Sequence, residues 1–100
     1  MTLLVVGTFR LPPSNILLAR SAMLRMVEAS RAEDGCIEYS YAEDMVEPGL
    51  IRVQEHWRDQ PSLHRHFASE HIAAWRAEWA TLGICNRNLK LYEVGAPFPN

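Results

Sequence analysis

Apolar positions along the chain change period several times, and each change marks an element. Leu3, Leu4, Val5, Val6 and Phe9 form a short β-branched and apolar block that predicts a strand, stopped by Pro12-Pro13. Ser14 or Asn15 is suited to cap a following helix, in which Ile16, Ala19, Met23, Met26, Val27 and Ser30 fall along one side, and Gly35 is the expected stop. Cys36 to Glu43 alternates as a second strand, Glu47-Pro48-Gly49 reads as a turn, and Leu50 to Trp57 predicts a third strand, so the pair makes a hairpin. Asp59 with Pro61 reads as another helix start. Leu63 and Phe67 define one stripe there, whereas Ile72, Trp75, Trp79 and Leu82 define a second, rotated by roughly a quarter turn at the helical period. One straight helix buries both stripes badly, so a break is expected near Ser69, whose hydroxyl can cap the second piece. After Gly83, Arg87 to Val94 predicts the last strand, and residues 96–100 form an irregular tail.

The order β-α-β-β-α-β predicts an α+β, ferredoxin-like domain over residues 1–95, an antiparallel sheet with helices on one face. The first strand is apolar on both sides, and Ile37, Tyr39 and Tyr41 line one side of the second, where a half-solvated strand would alternate cleanly. A second copy is the simplest cover for the other face, so a homodimer through the sheet is expected. A net charge of -2 lacks the basic excess of nucleic-acid binders. The N-terminal stretch is too short for a membrane span and unlike a secretion signal, so no membrane partner and a cytoplasmic location are expected. Cys36 and Cys85 open strands at opposite sheet edges and are expected to remain free thiols.

Glu55 shares a strand face with Ile51, Val53 and Trp57, a setting in which a carboxylate is paired or has a raised pKa. It serves either as a structural group, in an ion pair or a hydrogen bond to backbone at the sheet end, or as a carboxylate orienting a histidine. His66 and His71 flank the predicted break, each beside an apolar stripe where an imidazole can reach a pocket edge and exchange protons near neutral pH. His64, His66, Glu70 and His71 are ligand-type residues, but His66 and His71 point apart on a continuous helix, so no metal is expected. Trp57, Phe67, Trp75 and Trp79, with Tyr39, suit a flat ring substrate or simply fill the core. Arg20 falls among Ile16, Met23, Leu24 and Val27, either snorkelling or anchoring an anionic or phenolate group. Glycine-rich phosphate loops, nucleophile elbows and nucleotide-binding fingerprints are absent.

The blocks Glu33-Asp34-Gly35-Cys36-Ile37-Glu38-Tyr39, Glu55-His56-Trp57 and His66-Phe67-Ala68-Ser69-Glu70-His71 occur in an order and spacing that resembles the antibiotic biosynthesis monooxygenase family. Arg31 to Cys36 at the helix end and Tyr92 to Val94 in the closing strand extend the resemblance over nearly the whole chain. The resemblance implies a dimeric α+β barrel that oxidises a small electron-rich aromatic, a hydroquinone or polyketide phenol, with O₂ and without flavin, haem or metal. His66 and His71 match positions that recur in the family pattern, and with Glu55 in a supporting role they are the catalytic candidates. The haem-degrading branch places an asparagine on the first strand and a tryptophan and histidine on the later helix. Here those positions hold Phe9 or a neighbour, His66 and Arg76, so haem cleavage is not expected. An isomerase of small oxygenated metabolites and a non-catalytic ligand-binding dimer are the alternatives on the same fold.

Overall fold

The computed structural model describes residues 1–100. Its elements are β1 (Thr2–Arg10), a 3₁₀ turn (Pro13–Asn15), α1 (Ile16–Arg31), β2 (Cys36–Glu43), β3 (Leu50–Trp57), α2 (Gln60–Phe67), α3 (Glu70–Ala77), α4 (Trp79–Leu82) and β4 (Cys85–Val94). The four strands form one antiparallel sheet in the order β2-β3-β1-β4, the ferredoxin-like arrangement. β2 and β4 are its edges, which places Cys36 and Cys85 on opposite sides of the sheet as free thiols. Burial and nearby carboxylates push the Cys36 thiol up to about 11. No helix is long and apolar enough to cross a membrane.

Because directly opposite residues share a sheet face, the register sorts the side chains. Leu3↔Trp57, Val5↔Glu55 and Phe9↔Ile51 lie on the helix side, and Tyr39↔Glu55 and Tyr41↔Val53 put both tyrosines there too. Ala19, Ala22, Met26 and Val27 of α1, Leu63 of α2 and Ile72 and Trp75 of α3 complete the core against them. Leu4, Val6, Tyr92 and Val94 lie on the open face, mixed with Arg52, Gln54, His56 and Lys90. The open face is therefore less apolar than the sequence pattern suggested, because the tyrosines of β2 point inward.

The two-piece second helix forms as expected. Asp59 caps α2 by accepting from the Ser62 amide at 2.9 Å, and Ser69 caps α3 by accepting from the Ile72 amide. Several boundaries differ. α1 ends at Arg31, and Gly35 instead occupies the following turn at φ 84°, where its carbonyl accepts from the Arg58 amide. Neither Ser14 nor Asn15 caps α1; the Asn15 side chain donates to the Leu82 carbonyl at 2.9 Å and ties the α1 start to the end of α4. β4 begins two residues earlier than expected, at Cys85, where Asn86 at φ 50° and a register shift against β1 bend the strand. The inner face of α2 is Ser62, Leu63 and His66, while Phe67 is 47% exposed. Hydropathy alone ranks Phe67 above His66, but His66 meets a partly buried carboxylate partner that offsets its burial.

Candidate active site

His66 is 1% exposed, and its ring is held on every side. Trp57 lies 4.7 Å away between ring centroids, Tyr39 5.4 Å and Phe67 6.0 Å. Its Nδ1 is 2.5 Å from Glu33 Oε2, and the same oxygen receives His71 Nε2 at 3.0 Å. Glu33 sits in the turn after α1, His66 on the last turn of α2 and His71 on the first turn of α3. The break at Ser69 rotates the two histidines toward one carboxylate, which a straight helix would not do. With Nδ1–H donated to Glu33, the lone pair of His66 is on Nε2, which has no hydrogen-bond partner within the protein. Burial pushes the His66 pKa down and the Glu33 carboxylate opposes that shift, so the imidazole is neutral with a free acceptor.

His66 lines an interior cavity with Tyr39, Tyr41, Glu55, Phe67, Trp75, Arg76, Trp79 and Arg87, among other apolar residues. Its water-accessible space is about 20 Å³, enough for one water molecule. Glu55 is 4% exposed and accepts from Trp57 Nε1 at 3.0 Å, and burial raises its carboxyl pKa. The Tyr39 and Tyr41 hydroxyls are 3.1 Å apart; burial raises both phenols, Tyr41 to about 12, so both remain protonated. The Arg87 guanidinium stands 5.7 Å from the Trp79 ring centroid, and Trp79 Nε1 is buried without a partner. An imidazole, a carboxyl whose pKa burial raises and two arginines thus surround a largely aromatic enclosure.

The family model for antibiotic biosynthesis monooxygenases matches residues 2–78. The chain belongs to the antibiotic biosynthesis monooxygenase family. A Deinococcus radiodurans protein named for the same family superposes with a TM-score of 0.89 at 24% identity, covering 100% of this chain and 98% of that one. Rv0793 from Mycobacterium tuberculosis gives a TM-score of 0.75 at 27% identity, again covering 100% and 98%. An uncharacterised protein of Synechocystis sp. is 26% identical over 92 residues, 92% of this chain; the chain spans only 63% of that relative's length.

Placement of the expected site residues within this family member is uneven. His66, Glu55, Tyr39, Phe67 and Trp75 line one cavity. His71 does not; it faces the groove between α1 and α3 and reaches the site only through Glu33. Trp57 is fully buried and does not line the cavity; its ring stands 4.7 Å from the His66 ring and its Nε1 donates to Glu55. Arg20 lines a separate groove with Ile16, Met23 and Leu24, so it does not serve as a substrate anchor for this cavity. Glu55 was expected to support His66, and its hydrogen bond goes to Trp57; Glu33 is the partner of both histidines. Glu33 lies in the motif block read from the sequence, but nothing in spacing links it to residues 33 and 38 positions away. Tyr41, Arg76 and Arg87 were likewise missed, Arg87 because the last strand shows no alternation that marks an inward cation.

Proposed function

We propose that the protein is a cofactor-independent monooxygenase acting on a small electron-rich aromatic, a hydroquinone or polyketide phenol, with O₂ as co-substrate. The observation that carries the reading is His66, a buried neutral imidazole that lines an aromatic cavity, with its Nδ1–H donated to Glu33 and its Nε2 left without a partner. That arrangement makes Nε2 a general base of fixed tautomer. Removing the phenolic proton leaves a ring electron-rich enough to reduce O₂ directly, and exclusion of water protects the carbanion-like intermediate. Recombination forms a ring hydroperoxide, which loses water as its C–H proton leaves, so one hydroquinone and one O₂ yield one hydroxyquinone and one H₂O. All electrons come from the ring. Glu55, whose carboxyl pKa is raised by burial, lines the same cavity and in this reading delivers the proton to the departing oxygen, and Arg76 and Arg87 suit the phenolate charge.

A ring cannot enter about 20 Å³, so binding opens the cavity, at the side where its lining residues Phe67, Arg76 and Arg87 are exposed. Leu4, Val6 and Tyr92 on the open sheet face support a homodimer through that face, with the cavity on its opposite side. Cysteines kept as thiols suit a cytoplasmic setting. The test is O₂ uptake with a panel of hydroquinones and anthrone-type phenols, with and without air. Oxygen-dependent turnover is expected, and His66→Ala lowers it by roughly 10²–10⁴-fold with the fold intact by circular dichroism. Turnover that persists without O₂ would assign an isomerase, and tight binding of the panel with no turnover a ligand-binding dimer.

A further inference from the structure

Glu33, His66 and His71 present a carboxylate oxygen and two imidazole nitrogens that all lie within 4.8 Å of one another. The Glu33 oxygen already stands 2.5 Å from His66 Nδ1 and 3.0 Å from His71 Nε2. We propose that these three side chains form a site for a borderline divalent cation of the Zn²⁺ class, bound on the α1–α3 groove side of His66. Zn²⁺ takes nitrogen at about 2.0–2.1 Å and carboxylate oxygen at about 2.0–2.2 Å, which in a tetrahedron separates the donors by roughly 3.4 Å. Reaching that spacing requires Glu33 to draw back by about 1 Å and the partly exposed His71 to settle against the fixed His66 ring, and the fourth position stays open to water, as in three-ligand zinc sites. The donor set, two imidazoles and one carboxylate, is that of Zn²⁺ and its neighbours and not of Ca²⁺ or Mg²⁺.

Access and charge agree with the geometry. The His66 side chain is 2% exposed and fixed by Trp57 and Tyr39, so one ligand is pre-oriented. The side chains of Glu33 and His71 are 16% and 23% exposed, and His71 opens onto the groove, which gives an ion an approach. Binding needs no net proton release: the Nδ1 proton of His66 moves to its Nε2 and the Nε2 proton of His71 to its Nδ1, while three metal–ligand bonds replace two N–H···O bonds. The metal and the base therefore compete. Protonation of His66 Nε2 removes the lone pair that the general base uses, so Zn²⁺ switches proton abstraction off. This last consequence rests on the general-base reading above; the site itself does not.

The experiment is equilibrium dialysis of the full chain against Zn²⁺, with a parallel Co²⁺ titration followed by visible absorption. The wild type is expected to retain one Zn²⁺ per chain, with Co²⁺ showing ligand-field bands of a nitrogen and oxygen site and no thiolate charge-transfer band. His71→Asn and Glu33→Gln should weaken retention by at least roughly 10–100-fold, since loss of even an outer partner of a ligand costs that much. Absence of Zn²⁺ from the wild type, equal retention in the two variants, or a thiolate band that points to Cys85 or Cys36 would each overturn the site. The Co²⁺ spectrum requires only the wild type, so a variant that misfolds leaves the test intact. Retained Zn²⁺ with undiminished turnover on a verified substrate upholds the site and overturns the Nε2 base instead.

Discussion

Glu33→Gln is the perturbation that separates the carboxylate's charge from its shape. In the wild type one oxygen receives hydrogen bonds from two imidazoles, at 2.5 and 3.0 Å. Hydrogen bonds to a charged group contribute about 1.5–3 kcal/mol each, and neutral ones about 0.5–1.5 kcal/mol. Glutamine keeps an acceptor oxygen at the same reach, so each bond loses on the order of 1 kcal/mol and the pair about 2 kcal/mol. Solvent screening subtracts little, because the Glu33 side chain is 16% exposed and His66 2%. For a domain of this size 1 kcal/mol moves Tm by about 4–8 °C, so Glu33→Gln should lower it by roughly 8–16 °C. Thermal and urea unfolding at neutral pH, followed by far-ultraviolet circular dichroism, measures this without a substrate. The same change made in a His66→Ala background should cost about half as much, because one of the two bonds is already gone. A single-variant Tm within about 2 °C of wild type would refute the reasoning, and with it the view that Glu33 fixes the His66 tautomer.

Three further outcomes follow from other parts of the fold. Gly35→Ala forces φ 84° on an alanine and puts its Cβ 2.0 Å from Ser62 Oγ, so it should destabilise by more than the roughly 1–3 kcal/mol of the backbone strain alone; an unchanged urea midpoint would disprove this packing of the turn on α2. Asp59 titrates at about 2 in the folded chain against 3.8 for the free group, held down first by its hydrogen bonds to Ser62. Its contribution is therefore present above pH 3.8 and lost as pH falls toward 2, and Asp59→Asn, which still caps α2, should flatten the fall of stability across that window. Val6→Glu places a charge on the open sheet face and should convert a dimer to monomers in sedimentation; a wild type that is monomeric at micromolar concentration would remove the proposed interface.

Much of this architecture is written in local pattern. The strand–helix order, the hairpin turn at Gly49, the Asp59 cap and the Ser69 break all depend on residues within a few positions of one another, and periodicity reports such relations directly. Glu55 stood out for the same reason, as a carboxylate on an apolar strand face, and it is buried. The identity of its partner was not legible: Trp57 is two residues away on the same face, while His66 appeared the better match in chemistry. Period alone also turned Phe67 inward and His66 to the edge, the reverse of what packing selects. The deciding contact spans 33 residues, from Glu33 to His66, and arises because the sheet order sets the end of α1 beside the junction of α2 and α3. The sequence by itself determined the elements, the family and the presence of the histidines; only the tertiary structure decided which carboxylate they share and which one faces the cavity, because burial lets a distant charged partner outweigh local hydropathy.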